Sequence, residues 1–188
     1  MINEKLMEEK EARAYYCYML LDGILSDDEE EVFSSICKSL GVKKNEIIKS
    51  VKERLSYSRN FDPNNIDTKI LIDIIQENLG RKNSLMYWFG PDSARIVWNL
   101  IFLGYADNDL SEEEKNVVEF YVKFFKIKKG LYAEMIDTAD TILTLENQKK
   151  WAQTKYSGER LLKKQADIDS KIQKLATDMN ISISEVEY

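Results

Sequence analysis

The sequence predicts an all-α protein, and three observations support that fold class. Gly and Pro are scarce, at 7 and 2 of 188 residues, whereas the helix-favouring residues Glu, Lys and Leu abound. Apolar residues recur at helical spacing in most segments. One segment of 23 residues, 22–44, recurs without a gap as 107–129. A hydrophobic content of 44% with 32% charged residues indicates a folded domain with a core.

The first half of the chain contains four predicted helices. Each carries an apolar stripe on one face, and Gly41 is predicted to end the second helix. The stripes comprise Ala14, Cys17, Tyr18 and Leu21; Phe33, Ile36, Cys37 and Leu40; Ile47, Val51 and Leu55; and Ile70, Leu71, Ile74, Ile75 and Leu79. Turn residues at 62–65 separate the third helix from the fourth.

Residues 80–91 are predicted to form a loop, although residues 85–89 are unusually apolar for one. Two interpretations of this cluster stay open: a lid folded back on the core, or an exposed patch that binds a partner. Three further helices follow. Their stripes comprise Trp98, Leu100, Ile101 and Leu103; Val118, Tyr121, Val122 and Phe125; and Tyr132, Met135, Ile136, Ala139 and Leu143. We predict one helical domain over residues 1–150.

Residues 151–188 are predicted to be a C-terminal helical extension with a short tail. From Ser157 onward, apolar residues alternate at spacings of four and three, as in a coiled coil. This seam comprises Leu161, Gln165, Ile168, Ile172, Leu175 and Met179. It predicts either packing along the chain's own domain or association with a second helix. Only residues 181–186 show the alternation typical of a strand.

The duplication rests on eight identities in 23 positions, against one or two expected from residue usage on the order of a twentieth per position. The identical residues are Asp22, Leu25, Ser26, Glu29, Val32, Lys38, Lys43 and Lys44, which match Asp107, Leu110, Ser111, Glu114, Val117, Lys123, Lys128 and Lys129. One helix-turn-helix unit therefore occurs twice, and each copy is expected to bury its stripe against the other.

Helix capping accounts for much of the repeated motif. Gly23 and Asn108 are the residue types that most readily end a helix in a left-handed conformation. Ser26 and Ser111 then begin the next helix, and the glutamate three residues on completes a Ser-x-x-Glu capping box. Capping does not require the aspartate that precedes the turn in both copies.

The repeated aspartates therefore suggest a binding site. Two Asp-turn-Glu units side by side would concentrate carboxylates, which is costly unless a cation or a basic partner neutralises them. Ca²⁺ or Mg²⁺ is the predicted occupant, because both prefer oxygen ligands. The candidate ligands are Asp22, Glu29, Asp107, Asp109 and Glu114. The alternative is that the motifs serve only as caps.

Several kinds of site are excluded by the sequence. The chain has no His, so His-based catalysis and the usual zinc sites are absent, and two Cys cannot complete a four-thiolate site. Asp107, Asp109 and Ser111 fit the first positions of an EF-hand, but Glu112 stands where Gly is needed and Val118 where Glu is needed. The net charge of −6 argues against a general nucleic-acid binder.

The two motifs, residues 21–29 and 106–114, resemble the duplicated Asp-Gly-x-x-x-x-x-Glu signature of the TerB-like family, named for a tellurite-resistance protein. The resemblance covers residues 5–150. It implies about seven helices in pseudo-twofold halves and an acidic surface that binds metal cations, to which Asp22, Glu29, Asp107 and Glu114 would correspond. It also implies a non-enzymatic module in stress resistance, tellurite resistance or phage defence. Asn108 departs from the family's Gly.

Two functional hypotheses follow, together with a location. The first is a module that binds a divalent cation, a basic protein surface or both through the paired motifs. The second is an interaction or assembly protein that works through its C-terminal seam. An enzyme is not expected, because the acids are predicted at exposed helix starts rather than in a pocket. With no membrane span, no signal peptide and Cys17 and Cys37 expected as reduced core thiols, we predict a cytoplasmic protein.

Overall fold

The computed structural model describes residues 2–23, 25–57, 66–80, 91–106 and 110–185, and over these ranges it is entirely helical. The all-α prediction is confirmed for this part of the chain. The helices are α1 (Ile2–Tyr18), α2 (Asp27–Ser39), α3 (Lys44–Ser56), α4 (Thr68–Leu79), α5 (Pro91–Gly104), α6 (Glu112–Phe124), α7 (Lys129–Lys155) and α8 (Gly158–Ser184). The predicted turn at 62–65 and the apolar cluster at 85–89 lie outside the described residues.

The predicted stripes form one hydrophobic core. Helix α1 packs against α2, α3, α4 and α5, and its Tyr15 and Tyr18, with Met19 directly after the helix, are among the largest fully buried side chains. Cys17 and Cys37 are buried free thiols, and burial raises their pKa to about 12 and about 11. Both thiols are therefore protonated and unreactive at neutral pH.

The described parts of the duplicated segments adopt the same local structure. Helices α2 and α6 begin 85 residues apart, as do α3 and α7. Gly41 (φ 69°) ends α2 as predicted, and Lys126 (φ 57°) occupies the matching position after α6. Beyond these residues, Val42 N donates to Cys37 O at 3.0 Å and Ile127 N donates to Val122 O at 2.9 Å. Both copies therefore close with the same Schellman-type bond. The twofold arrangement of the halves stays a prediction.

Helices α1 and α5 are joined by a polar network centred on the buried Glu11. Glu11, fully buried, accepts two hydrogen bonds from the Arg95 guanidinium at 2.6 and 2.9 Å and one from Tyr15 Oη at 2.6 Å. Asn99 Nδ2 donates to Tyr15 Oη at 3.1 Å. Both inter-helix contacts join residues 84 apart, so α1 and α5 run side by side in the same direction.

The C-terminal seam packs within the chain. Lys149 bonds to Asp169 at 2.6 Å and Ser182 bonds to Glu134 at 2.8 Å, which makes α7 and α8 an antiparallel pair. Of the seam, Ile168 and Met179 are buried, and Ile172 and Leu175 pack against the core. The strand-like alternation at 181–186 is misleading, because α8 continues as a helix to Ser184 and buries Ile183 on the same face as Met179.

Helix α7 is continuous across residue 150, where the sequence predicted the domain to end. The last turn of α7 buries Ala152, and α8 contacts α5 as well as α7. The helix is therefore not interrupted at the predicted boundary between the domain (residues 1–150) and the extension (residues 151–188). This division of the chain stays a prediction.

We expect Gly104→Ala to destabilise the fold by about 1–3 kcal/mol through overpacking. A Cβ at this position would lie 2.6 Å from the oxygen of the fully buried Tyr18, and it would also overlap Leu110. Urea unfolding of the variant would measure the loss. The control is Gly130→Ala in α7, where a Cβ meets no atom within 4 Å and stability should be unchanged or slightly higher. Equal effects at the two positions would contradict this packing.

Candidate functional site

Both predicted capping boxes are present. In the first, Glu29 N donates to Ser26 Oγ at 3.1 Å, and Ser26 N donates to Glu29 Oε2 at 2.8 Å. In the second, Glu114 N donates to Ser111 Oγ at 3.2 Å, and Ser111 N donates to Glu114 Oε2 at 3.0 Å. The reciprocal bonds satisfy backbone donors at the starts of α2 and α6 and orient each glutamate back toward its own turn.

The glutamates of the two boxes are buried rather than exposed. Glu29 and Glu114 are 2% and 3% exposed, against the expectation that the motif acids lie on open helix starts. A buried carboxylate is costly to ionise unless hydrogen bonds or a cation compensate it. The motif therefore contains an inner pair of acids in addition to the exposed acids Asp27 and Glu112.

The acids of the two repeats lie within electrostatic reach of one another. Burial, followed by the smaller effect of the charges of Asp22 and Glu29, raises the pKa of Glu114 to about 7, against the lowering effect of its hydrogen bonds to Ser111. Asp22 is half-buried directly before Gly23, which has the predicted left-handed backbone (φ 78°). Three of the five candidate ligands, one from the second motif and two from the first, are therefore close enough for their charges to interact.

The other two candidate ligands, Asp107 and Asp109, lie outside the described residues, as does Asn108. Among the described residues no group of three or more His, Cys, Asp or Glu side chains is arranged to hold a metal ion. A complete oxygen cage would thus need ligands from residues 107–109 or from a partner. Water would fill the remaining positions, as is usual for Mg²⁺.

A cavity of about 340 Å³ lies next to the motifs, between α2, α5, α7 and α8. Asp28 of the first motif and Glu31, two residues beyond that motif in α2, line one side, and Ala106, the first residue of the second motif, lines another. Helix α7 contributes Glu146 and the pair Lys149 and Lys150; the Lys150 ammonium bonds to Asp28 at 2.8 Å.

The α7 part of this cavity was not found by sequence reasoning, although a signal exists. Residues Ala139, Leu143, Glu146 and Lys150 follow one another at spacings of four, three and four, so they share one face of α7. That face changes from apolar to charged halfway along the helix. A stripe that becomes charged without a turn indicates that the helix passes from the core to the rim of a cleft.

Comparison with protein-family models, with curated proteins and with solved structures found no match to this chain. None of the described helices is both long and apolar enough to span a bilayer.

Proposed function

We propose that this chain is a non-enzymatic binding module of the TerB-like kind, whose paired acidic motifs bind a divalent cation, Ca²⁺ or Mg²⁺. The observation that supports the proposal is the burial of one glutamate from each motif, Glu29 and Glu114, with the charges of Asp22 and Glu29 acting to raise the pKa of Glu114. Like charges held together in this way favour a cation that neutralises them.

A basic protein surface would satisfy the same charges. The exposed acids Asp27, Glu112 and Glu113 lie in the same first helical turns as the inner carboxylates and are accessible to Lys or Arg side chains. A cytoplasmic role in stress resistance, tellurite resistance or phage defence belongs to this proposal through the resemblance of the motifs alone. The assembly role for α8 has less support, since Ile168 and Met179 of its seam are buried within the chain.

Calorimetric titration of the full chain with CaCl₂ and with MgCl₂ at pH 8 tests the cation site. We expect saturable binding by the wild type and a loss of about tenfold or more in affinity for Asp22→Asn/Asp107→Asn. The matched control is Asp27→Asn/Glu112→Gln, which removes two exposed acids from the same motifs and should bind like the wild type. Negligible heats for the wild type with both cations would overturn the cation site.

A further inference from the structure

The cavity between α2, α5, α7 and α8 has the dimensions of a small-molecule site. Its volume of about 340 Å³ lies at the lower end of the range of roughly 300–1,000 Å³ that is usual for such sites. Side chains from three helices give it an apolar wall: Val32 from α2, Phe102 from α5, and Ile142 and Leu143 from α7. A ligand with a short apolar body would remove these side chains from water.

The rim of the cavity carries more carboxylates than ammonium groups. Asp28, Glu31 and Glu146 line it, together with Lys149 and Lys150. Both lysines already have carboxylate partners. The Lys150 ammonium lies 2.8 Å from Asp28, and the Lys149 ammonium lies 2.6 Å from Asp169, which is outside the cavity wall.

Glu31 and Glu146 are consequently the carboxylates best placed to form an ion pair with a positively charged group of a ligand. Lys149 lies 3.9 Å from Glu146 and within electrostatic reach of Glu31, but its shorter bond is to Asp169. A ligand cation at the rim would meet these two carboxylates while the lysines keep their own partners. A ligand anion would have to displace one of the existing ion pairs.

From this arrangement we infer that the cavity binds a small primary amine with a short apolar body, its ammonium group at Glu31 and Glu146 and its hydrocarbon between Phe102 and Leu143. A divalent metal ion does not fit the same space, because Ca²⁺ and Mg²⁺ require oxygen ligands on most sides and one wall here is apolar. The inference is independent of the cation site proposed for the paired motifs.

Three ligands with the same hydrocarbon body test the charge requirement. The full chain is titrated at pH 7 with hexylamine, 1-hexanol and hexanoate, and binding is followed by two-dimensional NMR. We expect hexylamine to bind about tenfold or more tightly than hexanoate, with hexanol between them. The shifts should centre on Phe102, Ile142 and Leu143. Equal binding of amine and hexanoate, or no binding of the amine, overturns the inference.

Two pairs of variants test the place of binding. Ser35 is an exposed residue of α2 that lines the cavity, so Ser35→Phe should block it and abolish hexylamine binding, whereas Ser39→Phe, one turn further along and outside the lining, should not. Glu31→Gln should lower the affinity for hexylamine by about fivefold or more, and Glu53→Gln on α3 should leave that affinity unchanged. Circular dichroism checks that each variant is folded. Hexylamine binding that survives Ser35→Phe lies elsewhere and overturns the assignment.

Discussion

Arg95→Met is expected to destabilise the protein by about 3–5 kcal/mol, the largest effect of any single change considered. The Glu11 carboxylate is fully buried and receives two hydrogen bonds from the Arg95 guanidinium. Without Arg95, Tyr15 is the one side chain left among the described residues that donates to this carboxylate, and a single phenol compensates a carboxylate inside the core poorly. Urea unfolding at pH 7, compared with the wild type, measures the loss.

The reason for the loss is tested by the double variant Glu11→Gln/Arg95→Met. A neutral amide can still accept the Tyr15 hydrogen bond, so the double variant should recover a large part of the stability lost in Arg95→Met. Arg54→Met is the matched control, because Arg54 joins α3 to α4 through an exposed ion pair with Glu77 and should cost about 1 kcal/mol or less. A double variant less stable than Arg95→Met alone would contradict the unpaired-charge explanation.

The network also shows where sequence reasoning stops. Periodicity and capping rules correctly placed the helix faces and both capping boxes, because these depend on residues three to seven positions apart. Glu11 stands on the same face of α1 as Ala14 and Tyr18, and such a charge on an apolar stripe signals a buried partner. Its partner Arg95 is 84 residues away, and only the packing of α1 on α5 identifies it.

The seam of α8 illustrates the same limit. Heptad-like spacing predicted a helix with one apolar edge, and α8 has one, but spacing cannot distinguish a partner helix in the same chain from one in another. The bonds from α7 to Asp169 and Ser182 show that α8 has a partner helix in its own chain, and association with a second chain stays a prediction. At the candidate site, the sequence identified the repeated acids but could not predict that Glu29 and Glu114 would be buried, because burial depends on how distant parts of the chain pack together.

The burial of Glu114 gives the folded state a pH dependence whose sign can be worked out. Its pKa is about 7 in the folded chain, whereas an unfolded glutamate has a pKa of about 4.3. Between these values the folded chain holds a proton that the unfolded chain has released. The free energy of unfolding therefore decreases as the pH rises through this interval. Stability from this group is complete below about pH 4 and is lost as the pH passes about 7.

We therefore expect the wild type to lose up to about 3 kcal/mol of stability through Glu114 between pH 4.5 and pH 8, since each pKa unit corresponds to about 1.4 kcal/mol. Glu114→Gln should lack this component, because Gln serves in a capping box without ionising. The control, Glu113→Gln, removes an exposed acid of the same turn and should keep the wild-type slope. Urea unfolding across this pH range gives the slope of unfolding free energy against pH for the wild type and the two variants. Equal slopes for the wild type and Glu114→Gln would contradict a proton held by Glu114 in the folded chain. If the paired motifs bind Ca²⁺ or Mg²⁺, adding the ion at pH 8 should restore stability to the wild type, because binding to the folded state alone stabilises it.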